Sequence, residues 1–237
     1  MDDVRPRPAS RKELAEIIDC VLLAPELSEE EVQTGCVLAR SLGLASVVVR
    51  PTEVEVAVRA LDGSSVRVGS VAAFPHGSAA TAVKLYEVRD LLRRGAREID
   101  VTLNTGKMRS RQFAYIESEM MQAAGACREA GAAFRMHIEP GAMETDLKVI
   151  ACRIAKRVEA ESITLGGGFG PAFAAPAELA FFVERLTGKV GLRLGTATEG
   201  LEECLALHAA GCSRLVAANP AAVLAEWEKR LAEERAS

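Results

Sequence analysis

Two short runs of this chain place acid, base and cation at alternating positions. In 98–106, Asp100, Thr102 and Asn104 fall on one face of an extended segment, with Ile99, Val101 and Leu103 on the other. In 134–139 the same period puts Arg135, His137 and Glu139 on one side. If the two polar faces meet, Asp100 and His137 would form a carboxylate–imidazole pair able to move protons near neutral pH. With Glu139 added, the three would offer oxygen and nitrogen ligands to a divalent metal. Only three histidines occur, and His76 and His208 are expected in a loop and a helix, so a His-rich metal site is not expected.

The elements around these runs must explain why a strand needs a polar side. An open, half-buried sheet would leave that side in water, whereas a parallel barrel points it into its own interior with the strand end at the ligand. Strand candidates fall at 17–23, 45–49, 67–73, 98–104, 134–139, 162–165, 190–194 and 214–218, judged by β-branched content and turn residues. Helix candidates begin near Ser10, where Glu13 completes a capping box, and then fall at 28–41, 81–94, 115–130, 146–158, 176–186, 201–210 and in the charged C-terminal segment. Strands joined by helices return in the same direction, so the alternation demands a parallel sheet, and eight units close it into a single α/β domain, a (β/α)8 TIM barrel over 1–237. Residues 1–10 read as a loose N-terminal arm. An open doubly wound sheet is the alternative, but no GxGxxG follows the first strand.

Composition narrows the function classes. A net charge of −4 spread over many acids and bases argues against nucleic acid or an anionic membrane as the main partner. No apolar run reaches a membrane span, and the polar N-terminus lacks an apolar signal segment. Six cysteines without CxxC spacing read as reduced core thiols of a cytoplasmic protein.

An ordered set of segments resembles the deoxyribose-phosphate aldolase family. It comprises Ile18-Asp19 with Leu22-Leu23 and Pro25; Phe74-Pro75 with Gly77, Thr81, Val83 and Lys84; Gly95-Ala96 with Glu98-Ile99-Asp100 and Asn104-Thr105-Gly106; Glu139; Gly168-Phe169-Gly170; and Lys189-Val190-Gly191. The resemblance implies a class I aldolase barrel. One lysine on the sixth strand forms a Schiff base, a second on the seventh depresses its pKa, an aspartate on the fourth handles protons, and glycine-rich turns hold a phosphate.

Transferred residue by residue, the implied machinery is divided. Asp100 matches the proton-handling aspartate, Asp19 an acidic residue bordering the site, and Glu139 a site-border position that would turn the polar face of its strand inward. The family's Lys-Thr-Ser-Thr-Gly-Phe-Gly reads here as Thr164-Leu165-Gly166-Gly167-Gly168-Phe169-Gly170, so Thr164 stands in place of the Schiff-base lysine. Arg193 replaces the second lysine; its guanidinium stays protonated, and it is the candidate to meet an anionic ligand. The phosphate-site equivalents are Gly195, Thr196, Ala218 and Asn219, followed by Glu199 and Pro220, which weaken an anion cradle. Lys12, Lys84, Lys107, Lys148, Lys156, Lys189 and Lys229 fall in helices, loops or strand starts, with Lys84 expected on a solvated helix face, and none is a natural replacement.

Three classes of function follow as expectations. The first is a divergent aldolase-like barrel that has lost Schiff-base chemistry and binds a small metabolite, anions included, or a protein partner through Asp19, Glu139, Thr164 and Arg193. The second is an active aldolase or related lyase with relocated machinery. The third is a lyase or isomerase using Asp100 and His137. An inert layer in which His137, Asp100 and Arg193 neutralise one another is a structural explanation of the same residues. No cofactor and no metal are implied, and a homodimer through outer helices is expected by analogy.

Overall fold

β-Branched and apolar residues set the strands, and side-chain caps at Ser10, Ser28, Asn104 and Asn219 mark some of the helix starts. The computed structural model describes residues 5–169, 176–186 and 188–236. The strands are β1 (Ile18–Leu22), β2 (Ser46–Val49), β3 (Arg67–Ala72), β4 (Glu98–Thr102), β5 (Ala133–Ile138), β6 (Ser162–Leu165), β7 (Gly191–Thr198) and β8 (Arg214–Ala217). The helices are α1 (Arg11–Ala15), α2 (Glu29–Leu42), α3 (Val54–Ala60), α4 (Thr81–Arg93), α5 (Thr105–Arg109), α6 (Phe113–Glu129), α7 (Thr145–Arg157), α8 (Pro176–Leu186), α9 (Leu201–Ala209) and α10 (Pro220–Ala236). Each strand pairs in parallel with the next and β8 returns to β1, closing the barrel in chain order.

Outward strand residues such as Val47, Ile99, Val101, Met136 and Ile163 are fully buried beneath the helices. α2 shows how local sequence punctuates the ring. Ser28 and Glu31 form a reciprocal capping box at its start, and Gly43, at φ 68°, ends it in the left-handed conformation that glycine adopts without a Cβ clash. Near the N-terminus, Ser10 accepts from the Glu13 N–H at 3.1 Å, while the Glu13 carboxylate reaches Ala9 rather than Ser10.

Several expectations need correction. β4 ends at Thr102, and Asn104 is not a strand residue but the N-cap of α5, accepting from the Lys107 N–H at 3.0 Å. The short helices α3 and α5 had no strong periodic signal. β7 runs on to Thr198 rather than stopping at Leu194, through a register shift between Arg193 and Ala197. The arm is packed over 5–10: Arg5 donates to the Gly211 carbonyl, and Arg7 lies over the Trp227 ring and pairs with Glu234. Residues 1–4 of that arm lie outside the described residues.

Lys84 reverses its expectation most sharply. It is fully buried, with Nζ 2.7 Å from Glu119 Oε1 on α6 and 2.8 Å from the Thr102 carbonyl at the end of β4. Its neighbours Val83 and Tyr86 are exposed, but Lys84, Leu85, Val88 and Leu91 share the buried side of α4. Helical spacing decided the matter, not residue type.

Candidate functional site

The inward face of the barrel carries a layer of ion pairs. Asp19 on β1 accepts from Ser46 Oγ at 2.7 Å and Arg214 Nη2 at 2.6 Å through Oδ1, and from Arg193 Nε at 2.6 Å through Oδ2. Glu98 Oε1 lies 2.7 Å from Arg135 Nη2 and 2.9 Å from Arg67 Nε, and Arg135 Nε donates to Glu161 at 2.8 Å. Burial opposes charge on Asp19, but Arg193, Arg214 and Arg135 outweigh it and hold the carboxyl well below the usual carboxylate range. Burial likewise opposes charge on Arg135, yet Glu98, Asp19, Asp100 and Glu161 raise its pKa above the ordinary value. This layer is a charge-balanced floor.

Toward the carboxyl ends of the strands, a small cleft of about 50 Å³ opens over that floor, lined by Asp100, His137, Thr164 and Arg193 and walled by apolar side chains including Val48, Val71 and Phe74. The Thr164 hydroxyl donates to Asp100 Oδ1 across the interior. Arg193 Nη1 stands 3.7 Å from Asp100 Oδ2, an ion pair too long for a hydrogen bond. Asp100 Oδ2 and Arg193 Nη2 are buried with no hydrogen-bond partner.

His137 is held from both sides. Its Nε2 lies 3.0 Å from the Gly166 carbonyl, which can only accept, so Nε2 carries the proton, and Nδ1 accepts from the Thr102 hydroxyl at 3.2 Å. Burial lowers its pKa, outweighing Asp100 and Glu139, which act the other way. The ring is therefore neutral near pH 7. Glu139 takes the Gly168 N–H at 2.6 Å and lies 3.5 Å from His137. Phe74, part of the family resemblance, packs its ring 5.4 Å from that of His137.

The structure brings Asp19, Asp100, His137, Thr164 and Arg193 together inside the barrel, with Glu139 beside His137. It does not join Asp100 to His137 by a hydrogen bond, because both ring nitrogens are engaged elsewhere. Among the described residues no set of three His, Cys, Asp or Glu side chains is arranged to hold a metal ion. The six cysteines are unpaired, and burial pushes Cys20, Cys127 and Cys212 up to about 12, far from thiolate chemistry. Among the described residues no lysine lines the cleft.

The positions matched to the phosphate turns are used for other contacts. A Cβ on Gly195 would stand 2.0 Å from the Gly166 carbonyl oxygen, and one on Gly167 would stand 2.6 Å from the Gly195 oxygen, so these glycines let β7 and the turn after β6 touch. Thr196 lies within β7 rather than in a turn after it. The Ala218 N–H donates to Thr198, and Asn219 Oδ1 caps α10 by accepting from the Ala222 N–H at 3.0 Å. Gly170, the last residue of the glycine run, lies outside the described residues. Sequence reasoning passed over Ser46, Glu98 and Arg214 in the floor; their signal was the inward phase of strand alternation, since Asp19 pairs in register with Ser46 and Arg193 with Arg214.

A closed parallel barrel with a polar cleft at the carboxyl ends of its strands defines the class: a (β/α)8 barrel of the kind in which enzyme sites occupy that face. Comparison with known proteins refines this. The chain is 32% identical over 207 residues to the deoxyribose-phosphate aldolase of Bacteroides thetaiotaomicron, covering 87% of each sequence. It is 29% identical over 213 residues to that of Clostridium perfringens, covering 90% of this chain and 95% of the relative. The chain belongs to the deoxyribose-phosphate aldolase family. No family model matches it. Among solved structures it superposes on the tetrameric deoxyribose-phosphate aldolase of Aeropyrum pernix with a TM-score of 0.85 at 21% identity over 94% of both chains. The aldolase QR15 gives a TM-score of 0.83 at 24% identity over 97% of this chain and 98% of that one, and at such identities both likenesses speak for the fold.

Proposed function

We propose that this barrel has given up Schiff-base aldol chemistry and holds a small molecule non-covalently over Asp100, Thr164 and Arg193. The observation that carries the reading is Thr164: where the family resemblance calls for an amine, a hydroxyl donates to Asp100. A hydroxyl cannot form an iminium, and without an iminium there is no electron sink for carbon–carbon cleavage. Arg193 offers no alternative, because its guanidinium is permanently protonated and its Nε is committed to Asp19. Lys84 is the lysine whose pKa burial lowers, against the opposing effect of Glu119, but it reaches β4 from a surrounding helix and does not line the cleft.

The test is reductive trapping. Treating the full chain with borohydride and either acetaldehyde or deoxyribose 5-phosphate is expected to leave its intact mass unchanged. A lysine adduct overturns the reading, and mapping it to Lys84 would establish relocated machinery. A proton-transfer reaction of another kind would rest on Asp100, whose Oδ2 is open, rather than on His137, whose two nitrogens are both taken. Asp100→Asn would abolish such an activity while leaving the trapping result unchanged.

A further inference from the structure

We infer that Lys84 and Glu87 are positioning residues: from one turn of α4 they hold the chain at the ends of β4 and β3, so that Thr102 and Phe74 fix the His137 ring in the cleft wall. This role does not depend on what occupies the cleft, since the ring lines it in either case.

Ala73, directly after β3, has φ 55°, a left-handed backbone that a residue with a Cβ seldom adopts. Such a conformation persists only where the surroundings enforce it, and residues of this kind gather at functional sites. Here the enforcing group is Glu87, whose Oε2 accepts from the Ala73 N–H at 2.7 Å, while the Ala73 carbonyl accepts from the Gly77 N–H at 2.8 Å. Gly77, at φ 65°, lies so close to the chain after β4 that a Cβ on it would stand 2.2 Å from the Leu103 carbonyl oxygen. Residues 73–77 are thus pinned between α4 and the end of β4. The side chain they present to the cleft is Phe74, whose ring meets that of His137.

Lys84 lies one turn before Glu87 and works on the neighbouring strand. Balancing Glu119 would need only the contact at 2.7 Å, yet the ammonium also donates to the Thr102 carbonyl at 2.8 Å. Thr102 is the residue whose hydroxyl donates to His137 Nδ1 at 3.2 Å. The next backbone N–H, that of Leu103, donates to the His137 carbonyl at 2.9 Å, so this strand end holds both the ring and the main chain of His137. With Nδ1 committed as an acceptor, Nε2 keeps its proton and donates to the Gly166 carbonyl at 3.0 Å, in the turn after β6 that also lines the cleft. A helix outside the barrel therefore sets which tautomer the cleft presents.

Nitrogen-15 NMR of the full chain tests this, because it separates the two neutral tautomers and only three histidines occur; His137→Gln identifies the signal. At about pH 8, above the ordinary imidazole range, His137 is expected to carry its proton almost wholly on Nε2. Glu87→Met, and Lys84→Met made together with Glu119→Leu so that no charge is stranded, are each expected to lower the ratio of that tautomer to the other about five-fold, the worth of one hydrogen bond. Glu87→Gln keeps an acceptor for the Ala73 N–H and is expected to preserve the ratio. Should a variant not fold, the residue it acts through takes its place, Thr102→Val for Lys84 and Phe74→Leu for Glu87, with the same fall expected. A purely structural role would lower the unfolding midpoint and leave the tautomers as they were. An unchanged ratio in a folded variant of either arm overturns the inference, as does a Glu87→Gln ratio that falls as far as that of Glu87→Met.

Discussion

Two buried cation–carboxylate sets lie on opposite sides of β4, and they are finished differently. Behind the strand, Lys84 donates to Glu119 and to the Thr102 carbonyl, and the other Glu119 oxygen accepts from the Thr81 hydroxyl at 2.9 Å. Every contact closes on the protein itself. Inside the barrel, Asp19 is equally saturated, but one step nearer the mouth Asp100 Oδ2 and Arg193 Nη2 are left open against a cleft. Lack of a partner does not by itself separate scaffold from site, since Glu98 Oε2 and Arg135 Nη1 in the floor also have none. What sets Asp100 and Arg193 apart is that they line the cleft, where their open atoms can meet something from outside, while both sets are built from the same kinds of charge.

The largest effect should come from breaking the ion-pair floor at Asp19. Asp19→Ala leaves Arg193 and Arg214 buried without their shared carboxylate, and breaking a buried pair in this way costs about 3–5 kcal/mol. We expect the variant at the upper end of that range, read as a collapse of the urea unfolding midpoint or loss of folded protein. Tolerance of the change would mean that the floor is not a unit.

The pair behind β4 gives the next effect. Lys84→Met strands Glu119 and should cost about 3 kcal/mol, whereas Lys84→Met with Glu119→Leu should recover most of that loss, because an apolar pair of similar size removes the uncompensated charge. A double variant no better than the single one would show that Lys84 does more than balance Glu119, and would sharpen interest in its contact with Thr102.

The smallest effect is a dependence on pH. Burial lowers the pKa of His137 in the folded chain, so below about pH 6.5 the unfolded chain binds a proton that the folded chain resists. The contribution is fully present above the unfolded value and is lost as pH falls through the folded one, with a slope of at most about 1.4 kcal/mol per pH unit. Unfolding midpoints at pH 7.5 and 5.5 should therefore differ, and His137→Gln should reduce the difference. An unchanged pH dependence in that variant would place the proton elsewhere.

Much of the barrel was legible because its signals are local. β-Branched runs mark the strands, and local punctuation such as the Ser28 capping box and the Gly43 stop of α2 reports its own element without reference to any other. Asp100, Thr164 and Arg193 were legible for a related reason: strand alternation assigns a face, and the family resemblance assigned the strand ends. Lys84 was misread because a lysine between exposed Val83 and Tyr86 looks solvated until Glu119, 35 residues away, supplies its partner. Asn104 was misread because a polar residue in phase with a strand is indistinguishable by spacing from the cap of the helix that follows.

By itself the sequence determined the parallel eight-unit ring, the family likeness and the absence of an amine at Thr164, since all three depend on order and identity along the chain. Only the tertiary structure decided which charges cancel and which remain open. Arg193 meets Asp19 across 174 positions of chain and Thr164 meets Asp100 across 64. Such pairings are fixed by barrel closure and register, because hydrogen bonds are satisfied by distance and direction in space, and no periodicity along a strand encodes either one.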